Sequence, residues 1–271
     1  MRSALAVRAA RARHLARAHP ESREALEFYA ALAELQRSFV DSPGVISADA
    51  ARVPFAAALD ADRAALLVPP LLAWCRDEAR GGVASTLLAR PSTSRPDWPG
   101  VLSRCWISGG PVDEDLDDID RFLAEAVLQP FAELAATGPE PATGATPARA
   151  ATGARCPVCG GLPVVGTLRE RGHGAARAFV CGFCLTEWPA ARIGCPSCGE
   201  TTFERLPVFR ADEFRAARID ACDTCRACLK TIDLTVDGTA LPVVDDVATL
   251  ALDLWAVAQG YRKVRLNLLR L

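Results

Sequence analysis

Eight cysteines arranged as four CxxC pairs constrain this chain more than any other feature of its sequence. The pairs are formed by Cys156 and Cys159, Cys181 and Cys184, Cys195 and Cys198, and Cys222 and Cys225. Two cysteines separated by two residues are typical of a metal-chelating turn rather than of a structural disulfide network. Nine of the eleven cysteines lie between residues 156 and 228. Reduced thiols at this density indicate a cytoplasmic protein.

One CxxC turn supplies two thiolates, whereas a tetrahedral Zn²⁺ or a mononuclear iron needs four. Matching consecutive pairs leaves a gap of 21 residues in the first set and 23 in the second, both close to the spacing of a four-cysteine zinc ribbon. Two alternatives are possible. In a short finger, the second and third pairs bind one ion across the ten residues LTEWPAARIG; in an interleaved cross-brace, the first pair joins the third and the second joins the fourth. The same plan, CPxCG followed by a second CxxC, occurs twice, which favours consecutive matching. We therefore predict two four-cysteine metal sites.

The sulfur donors do not distinguish zinc from a single iron. A redox dithiol is the alternative for a lone CxxC, but the surrounding sequence lacks a βαβ pattern. Cys228 extends the fourth pair to CDTCRAC. We predict it to be a buried spare thiol on the strand that leaves the turn. The alternative is that it exchanges as a ligand or reacts when the metal is lost. Cys75 and Cys105 are predicted to be buried and outside any metal site.

The first half of the chain has helical periodicity. In SREALEFYAALAELQRSF, an apolar residue recurs every three or four positions, at Leu26, Tyr29, Leu32, Leu35 and Phe39. The acidic run in PVDEDLDDIDRFLAEAVL is predicted to be a solvated helix with residues 113–115 at its N-terminus, where the helix dipole favours acids. Pro130 is predicted to end or kink this helix.

The second half is predicted to contain strands and a last helix. The segments LPVVGTL, RAFVC, ERLPVF and KTIDLTV read as strands of small hairpins, with His173 in the first turn and Trp188 packed under the ribbon. A helix is predicted over DDVATLALDLWAVAQG, capped by Asp245 or Asp246 and stopped by Gly260. Its predicted apolar face consists of Val247, Leu250, Leu254 and Ala258.

These patterns predict an α+β fold. An α-helical domain covers residues 1–135 and a Gly/Pro/Thr/Ala-rich linker covers 136–155. Two tandem rubredoxin-like or zinc-ribbon modules follow at 156–193 and 194–271, the second with the C-terminal helix. The formal net charge of −2 gives no global attraction to nucleic acid, and charge or proline interrupts every apolar run, so we expect no membrane insertion. The common catalytic motifs are missing, so we expect no enzyme.

Several segments resemble the formate dehydrogenase accessory protein family, FdhE. They are AHPESREALEFYAALAELQ, CPVCGGLPVVG, FVCGFCLTEW, RIGCPSCGE, CDTCRACLKTIDL and DDVATLALDLWAVAQGYRKVRLNLL. The resemblance implies a cytoplasmic, non-catalytic helper that is needed for active respiratory formate dehydrogenase. Such a helper contacts the catalytic subunit of that enzyme. It also implies iron as the metal, with zinc as the alternative, and the eight paired cysteines as ligands. Cys228 departs from the family pattern, in which tyrosine is expected before LK.

Two other functions compete with this interpretation. A nucleic-acid-binding zinc ribbon would use a basic stripe, for which the sequence offers Arg169, Arg171, Arg177 and Arg192. A rubredoxin-like iron or thiol protein would carry electrons. The oligomeric state, a homodimer included, is left open.

Overall fold

A computed structural model of the chain describes residues 1–47, 49–50, 53–78, 97–111, 116–137, 154–172 and 174–271. The described helices are α1 (Arg2–Ala18), α2 (Arg23–Phe39), α3 (Ala61–Ala65), α4 (Val68–Glu78), α5 (Trp98–Ile107), α6 (Asp118–Ala136), α7 (Pro242–Ala248) and α8 (Leu250–Ala258). The strands are β1 (Pro163–Arg171), β2 (Gly174–Cys181), β3 (Glu187–Pro189), β4 (Val208–Arg210), β5 (Ala217–Ala221), β6 (Ala227–Asp233) and β7 (Arg262–Lys263). The predicted α+β class is confirmed.

Helix α2 buries the face that its sequence predicts. Leu26, Tyr29, Leu32 and Phe39 are buried and Leu35 is partly buried. This face packs on α1 and α6, so the apolar stripe places α2 in the centre of the helical half.

Helix α6 continues through Pro130 to Ala136, so the helix does not end at this proline, and the predicted kink stays a prediction. Proline has no backbone N–H and therefore cannot bond the carbonyl four residues earlier. That carbonyl, on Ala126, accepts a hydrogen bond of 2.9 Å from Gln36 Nε2 of α2. The neighbouring helix thus supplies the missing donor. At the other end, the Asp117 carboxylate accepts the backbone N–H groups of Ile119 and Asp120, while the acids predicted there, 113–115, lie outside the described residues.

The strands form one mixed sheet in the order β3-β2-β1-β6-β5-β4, with β7 paired to β6. The antiparallel hairpin β1–β2 joins the antiparallel pair β5–β6 through parallel pairing of β1 with β6. The strands predicted in LPVVGTL, RAFVC and KTIDLTV correspond to β1, β2 and β6, and ERLPVF contributes only its last two residues to β4. The short strands β3 and β5 were not predicted. Both predicted metal modules contribute to this sheet, and their limits at 193 and 194 stay a prediction.

The predicted last helix is two helices that meet at Thr249. The proposed caps, Asp245 and Asp246, lie inside α7, which begins at Pro242. Leu254 of the predicted apolar face is 64% exposed. Gly260 follows α8 with a φ of +78°, as expected of a stop.

Val247 of the predicted apolar face is buried, but Leu254 and Ala258 are exposed, and a buried lysine lies against a different face of α8. The Lys230 ammonium donates to the backbone carbonyls of Asp246 and Thr249 and to the Asp253 carboxylate, at 2.7, 3.1 and 2.6 Å. Lys230 on β6 therefore selects the face that carries Asp253, and ion pairing overrides the apolar periodicity.

Two hydrophobic clusters fill the molecule. The larger one joins α1, α2 and α4–α6 to the first cysteine set and α7. The smaller one lies between the sheet and α8. Among the described helices, none combines the length and apolar character needed to cross a membrane.

Candidate metal centres

The first candidate centre is formed by the cysteines of the first two CxxC pairs. Their four sulfur atoms all lie within 4.8 Å of one another. Cys156 Sγ is 3.5 Å from Cys184 Sγ, and Cys159 Sγ is 3.4 Å from Cys181 Sγ. All four residues are buried. The hairpin β1–β2 brings the two pairs together, because one pair precedes β1 and the other begins at the last residue of β2.

The second candidate centre combines the third and fourth pairs in the same way. Cys195 Sγ is 3.6 Å from Cys225 Sγ, and Cys198 Sγ is 3.7 Å from Cys222 Sγ. Here Cys198 is exposed and Cys225 is partly exposed. The structure thus groups the thiols as consecutive matching predicts, rather than as a short finger or a cross-brace.

In all four turns, the residue after the second cysteine has a φ in the left-handed region. Gly160, Leu185, Gly199 and Arg226 each have a positive φ, between 59° and 77°. Glycine adopts this region without strain, whereas Leu185 and Arg226 each carry a cost of about 1–2 kcal/mol. The turn also directs backbone N–H groups at sulfur, as Gly161, Phe183 and Ser197 show at 3.3–3.4 Å.

The sulfur positions fit a tetrahedral ion. An ion about 2.3 Å from each of four sulfurs holds them about 3.8 Å apart. Two sulfur pairs in each centre are 3.4–3.7 Å apart, and all four sulfurs of each centre lie within 4.8 Å of one another. Four thiolates so close together repel one another unless a cation lies between them. The thiols of the first set therefore compete for protons: hydrogen bonds from Cys159 and Cys181 lower the pKa of Cys156, and contacts with Cys156 raise the pKa values of Cys159 and Cys184. The two clusters can hold metal ions, and the donor set accommodates iron or zinc.

A buried arginine connects the first centre to the helical half. The Arg265 guanidinium lies against Gly182, inside the CGFC turn, and donates to Glu125 of α6 at 2.6 Å and to the Gly109 carbonyl at 3.1 Å. Burial alone lowers the pKa of Arg265. Glu125 and the thiols of Cys181 and Cys159 raise it by more than burial lowers it, so the pKa of Arg265 lies above its ordinary value. This positive charge favours thiolates in the adjacent centre.

The second centre borders a cavity of about 530 Å³. Its floor contains Arg177 of β2, which donates to the Asp220 carboxylate at 3.0 Å and to the carbonyl oxygens of Ala191 and Gly194 at 3.3 and 3.1 Å. Arg177 thereby fixes the segment that enters the second centre at Cys195. Burial lowers the pKa of Arg177, although Asp220 opposes that effect.

The other cysteines belong to neither group of four among the residues that the structure describes. Cys228 is buried on β6. Burial raises the pKa of Cys228 to about 11 and that of Cys75 to about 12, which makes both thiols unreactive at neutral pH. Cys105 is buried as predicted, and Trp188 is buried edge-on against Phe179. His173 lies outside the described residues.

Arg265 and Glu125 were not predicted to have a role at the first centre. The two residues are 140 positions apart, and local spacing does not show that they pair. Gly182, inside the CGFC turn, is the sequence feature that indicates a close contact at the first centre. Glycine has no side chain, so another residue can pack directly against its Cα.

Comparison with known proteins agrees with the order of these parts. Residues 155–192 match the family model described as FdhE, central domain, and residues 193–270 match FdhE, C-terminal domain. A protein FdhE homolog of Aquifex aeolicus is 40% identical over 92 residues, which cover 34% of this chain and 32% of that protein. Protein FdhE of Escherichia coli (strain K12 / DH10B) is 32% identical over 92 residues, covering 34% of this chain and 29% of that protein. The aligned part of this chain thus spans about a third of each of these relatives.

A solved structure extends the likeness to the helical half. The crystal structure of the FdhE protein from Pseudomonas aeruginosa superposes with a TM-score of 0.68 and 26% identity, covering 99% of this chain and 96% of that one. Residues 155–270 therefore contain the FdhE central and C-terminal domains in order, and the chain has the fold of an FdhE protein along almost its whole length.

Proposed function

We propose that this protein is an accessory protein for the maturation of respiratory formate dehydrogenase. It binds the catalytic subunit of that enzyme in the cytoplasm and catalyses no reaction itself. The observation that carries the proposal is the pair of four-thiol clusters on a fold that matches an FdhE protein over nearly its whole length.

The eight paired cysteines are proposed to hold two metal ions, one in each centre. Iron is our first assignment and zinc is the alternative. The fit of the sulfur separations to a tetrahedral ion supports metal occupancy, because four thiols within 4.8 Å are stabilised by a shared cation.

The experiment that tests this function combines a gene deletion with co-purification. A strain that lacks the gene is expected to lose respiratory formate oxidation and to regain it when the gene is restored. Tagged protein is expected to retain the formate dehydrogenase catalytic subunit, while an unrelated four-cysteine zinc protein with the same tag does not. Full formate oxidation in the deletion strain would rule the proposal out.

The contacts of two basic residues weigh against the nucleic-acid alternative. Of the four arginines that the sequence offered, Arg177 is buried in an ion pair with Asp220, and Arg169 forms a two-bond pair with Glu187. An electrophoretic mobility shift that weakens steeply with salt would revive this alternative. Reversible cycling of bound iron between two oxidation states would favour the electron carrier instead.

A further inference from the structure

The two cysteine centres differ sharply in their exposure. In the first centre, Cys181 and Cys184 are 0% and 1% exposed. In the second, Cys198 lies in the exposed class and Cys225 is partly exposed. Chelators and competing ligands approach a metal through its accessible ligands, so these exposures decide which ion can be reached.

The first centre is covered by the helical half of the molecule. A Cβ atom at Gly161 would lie 2.6 Å from the Gly109 carbonyl oxygen and 3.1 Å from Cys181 Sγ, so the backbone after α5 lies directly on the turn. Phe183, between the two cysteines of its pair, packs edge-on against Trp106 with ring centroids 6.0 Å apart. These contacts cover Cys181 and Cys184, so a ligand reaches these two thiols only after the contacts open.

Arg265 strengthens the cover over the first centre. Its guanidinium group is buried between Gly182 and Glu125, and its charge acts on Cys181 and Cys159. Dissociation of a thiolate from this centre would leave an unpaired anion buried among packed side chains, which is unfavourable unless the whole region opens.

The second centre is open on two sides. Cys198 faces solvent, and the edge formed by Cys195 and Cys222 borders the cavity of about 530 Å³. The cavity also has apolar walls, among them Phe203, which is 70% exposed. An entering ligand can therefore approach beside Cys198 without displacing any element of the core.

We propose that the second centre is a ligand-exchange site, at which an incoming thiol displaces Cys198, and that the first centre exchanges no ligand until the structure around it unfolds locally. This inference rests on the proposed metal occupancy of both centres. The incoming thiol binds the ion as a thiolate, the Cys198–metal bond breaks, and the released proton passes to the Cys198 thiolate through solvent. The oxidation state of the metal does not change, so the step needs no oxidant or reductant.

The test follows zinc release from the full-length protein loaded with two equivalents of Zn²⁺. The chromogenic chelator 4-(2-pyridylazo)resorcinol reports free zinc, and glutathione is the incoming thiol. We expect two phases of one equivalent each, the first at least about tenfold faster, because release from the first centre requires local unfolding. The rate of the fast phase is expected to rise with glutathione concentration, while the slow phase stays constant.

Alkylation with iodoacetamide at the end of the fast phase assigns that phase without any substitution. Peptides that carry Cys195, Cys198, Cys222 and Cys225 are expected to be labelled, and those that carry Cys156 and Cys181 to stay protected. Release of both equivalents in one phase, labelling of the first set before the second, or a fast phase independent of glutathione would overturn the inference. A protein that binds neither zinc nor iron would contradict the proposed metal occupancy. If the protein exchanges zinc as expected but a strain that lacks the gene still oxidises formate, only the accessory function is contradicted.

Discussion

Gly182 shows how one residue ties the first centre to the rest of the molecule. It lies between the two cysteines of the CGFC turn, and the space that a side chain would need is filled by the Nε and Cδ atoms of Arg265. The constraint at this position is therefore close packing. Its φ lies outside the left-handed region, in contrast to Gly160 and Gly199 in the CPxCG turns.

Substitution Gly182→Ala is expected to destabilise the protein by about 1–3 kcal/mol, because the new methyl group must push Arg265 out of a packed site. The measurement is the free energy of unfolding in denaturant with metal in excess. Gly174→Ala is the matched control, since among the described residues no atom beyond the chain neighbours lies within 4 Å of a Cβ at that position. Equal stability of the two variants would contradict the packing described here.

Arg265 itself is expected to matter through charge. Arg265→Met leaves Glu125 buried without its partner and should cost about 3–5 kcal/mol. The double variant Arg265→Met with Glu125→Leu removes both charges and should recover much of that stability. Thermal and denaturant unfolding of the wild-type protein and the two variants checks the pattern. A double variant that is no more stable than Arg265→Met would show that the ion pair is not the cause.

At the scale of elements, α6 depends on a hydrogen bond from α2. Pro130 leaves the Ala126 carbonyl without its helical donor, and Gln36 provides one. Gln36→Leu is therefore expected to cost about 1–3 kcal/mol, the penalty of an unsatisfied buried carbonyl. Gln36→Leu should cost less in a Pro130→Ala background. Alanine at position 130 has a backbone N–H, which can donate to the Ala126 carbonyl within the helix. A double-mutant cycle in denaturant measures this coupling, and strictly additive costs would refute it.

Local pattern predicted most elements but not the ones held by charge. Helix α2 and strands β1, β2 and β6 were found because their apolar or β-branched residues recur with the right period. Strand β5, with the sequence ARIDA, was missed because charged Arg218 and Asp220 alternate with its apolar residues and pair with each other in the folded sheet. The predicted face of α8 differs from the buried one because Lys230, from a distant strand, binds Asp253.

At the scale of the whole molecule, the cysteine grouping could be predicted and the difference between the centres could not. The grouping follows from two similar gaps between CxxC turns and from a repeated turn sequence, both of which can be read directly from the sequence. The cover over the first centre comes from residues 109 and 265, which lie far from the cysteines in the sequence and reach them only through the packing of the helical half.

Loss of the first metal is expected to loosen the helical half. Gln129 of α6 donates to the Gly182 carbonyl at 3.1 Å, and Trp106 of α5 packs on Phe183. Cys156→Ser should therefore increase amide hydrogen exchange in α5 and α6, whereas Cys198→Ser should affect mainly residues 194–226. Hydrogen–deuterium exchange with mass spectrometry compares the two single-atom changes. Identical exchange maps would contradict the unequal coupling of the centres to the core.

Metal stoichiometry tests the central claim most directly. Protein purified without oxygen, analysed for metals by mass spectrometry and for ligation by absorption spectroscopy, is expected to contain two ions per chain, each bound by four thiolates. Sulfur-to-iron charge-transfer bands would identify ferric iron, and a colourless protein with two zinc ions would identify the alternative. A folded protein with no bound metal and eight freely titratable thiols in the paired positions would contradict the account.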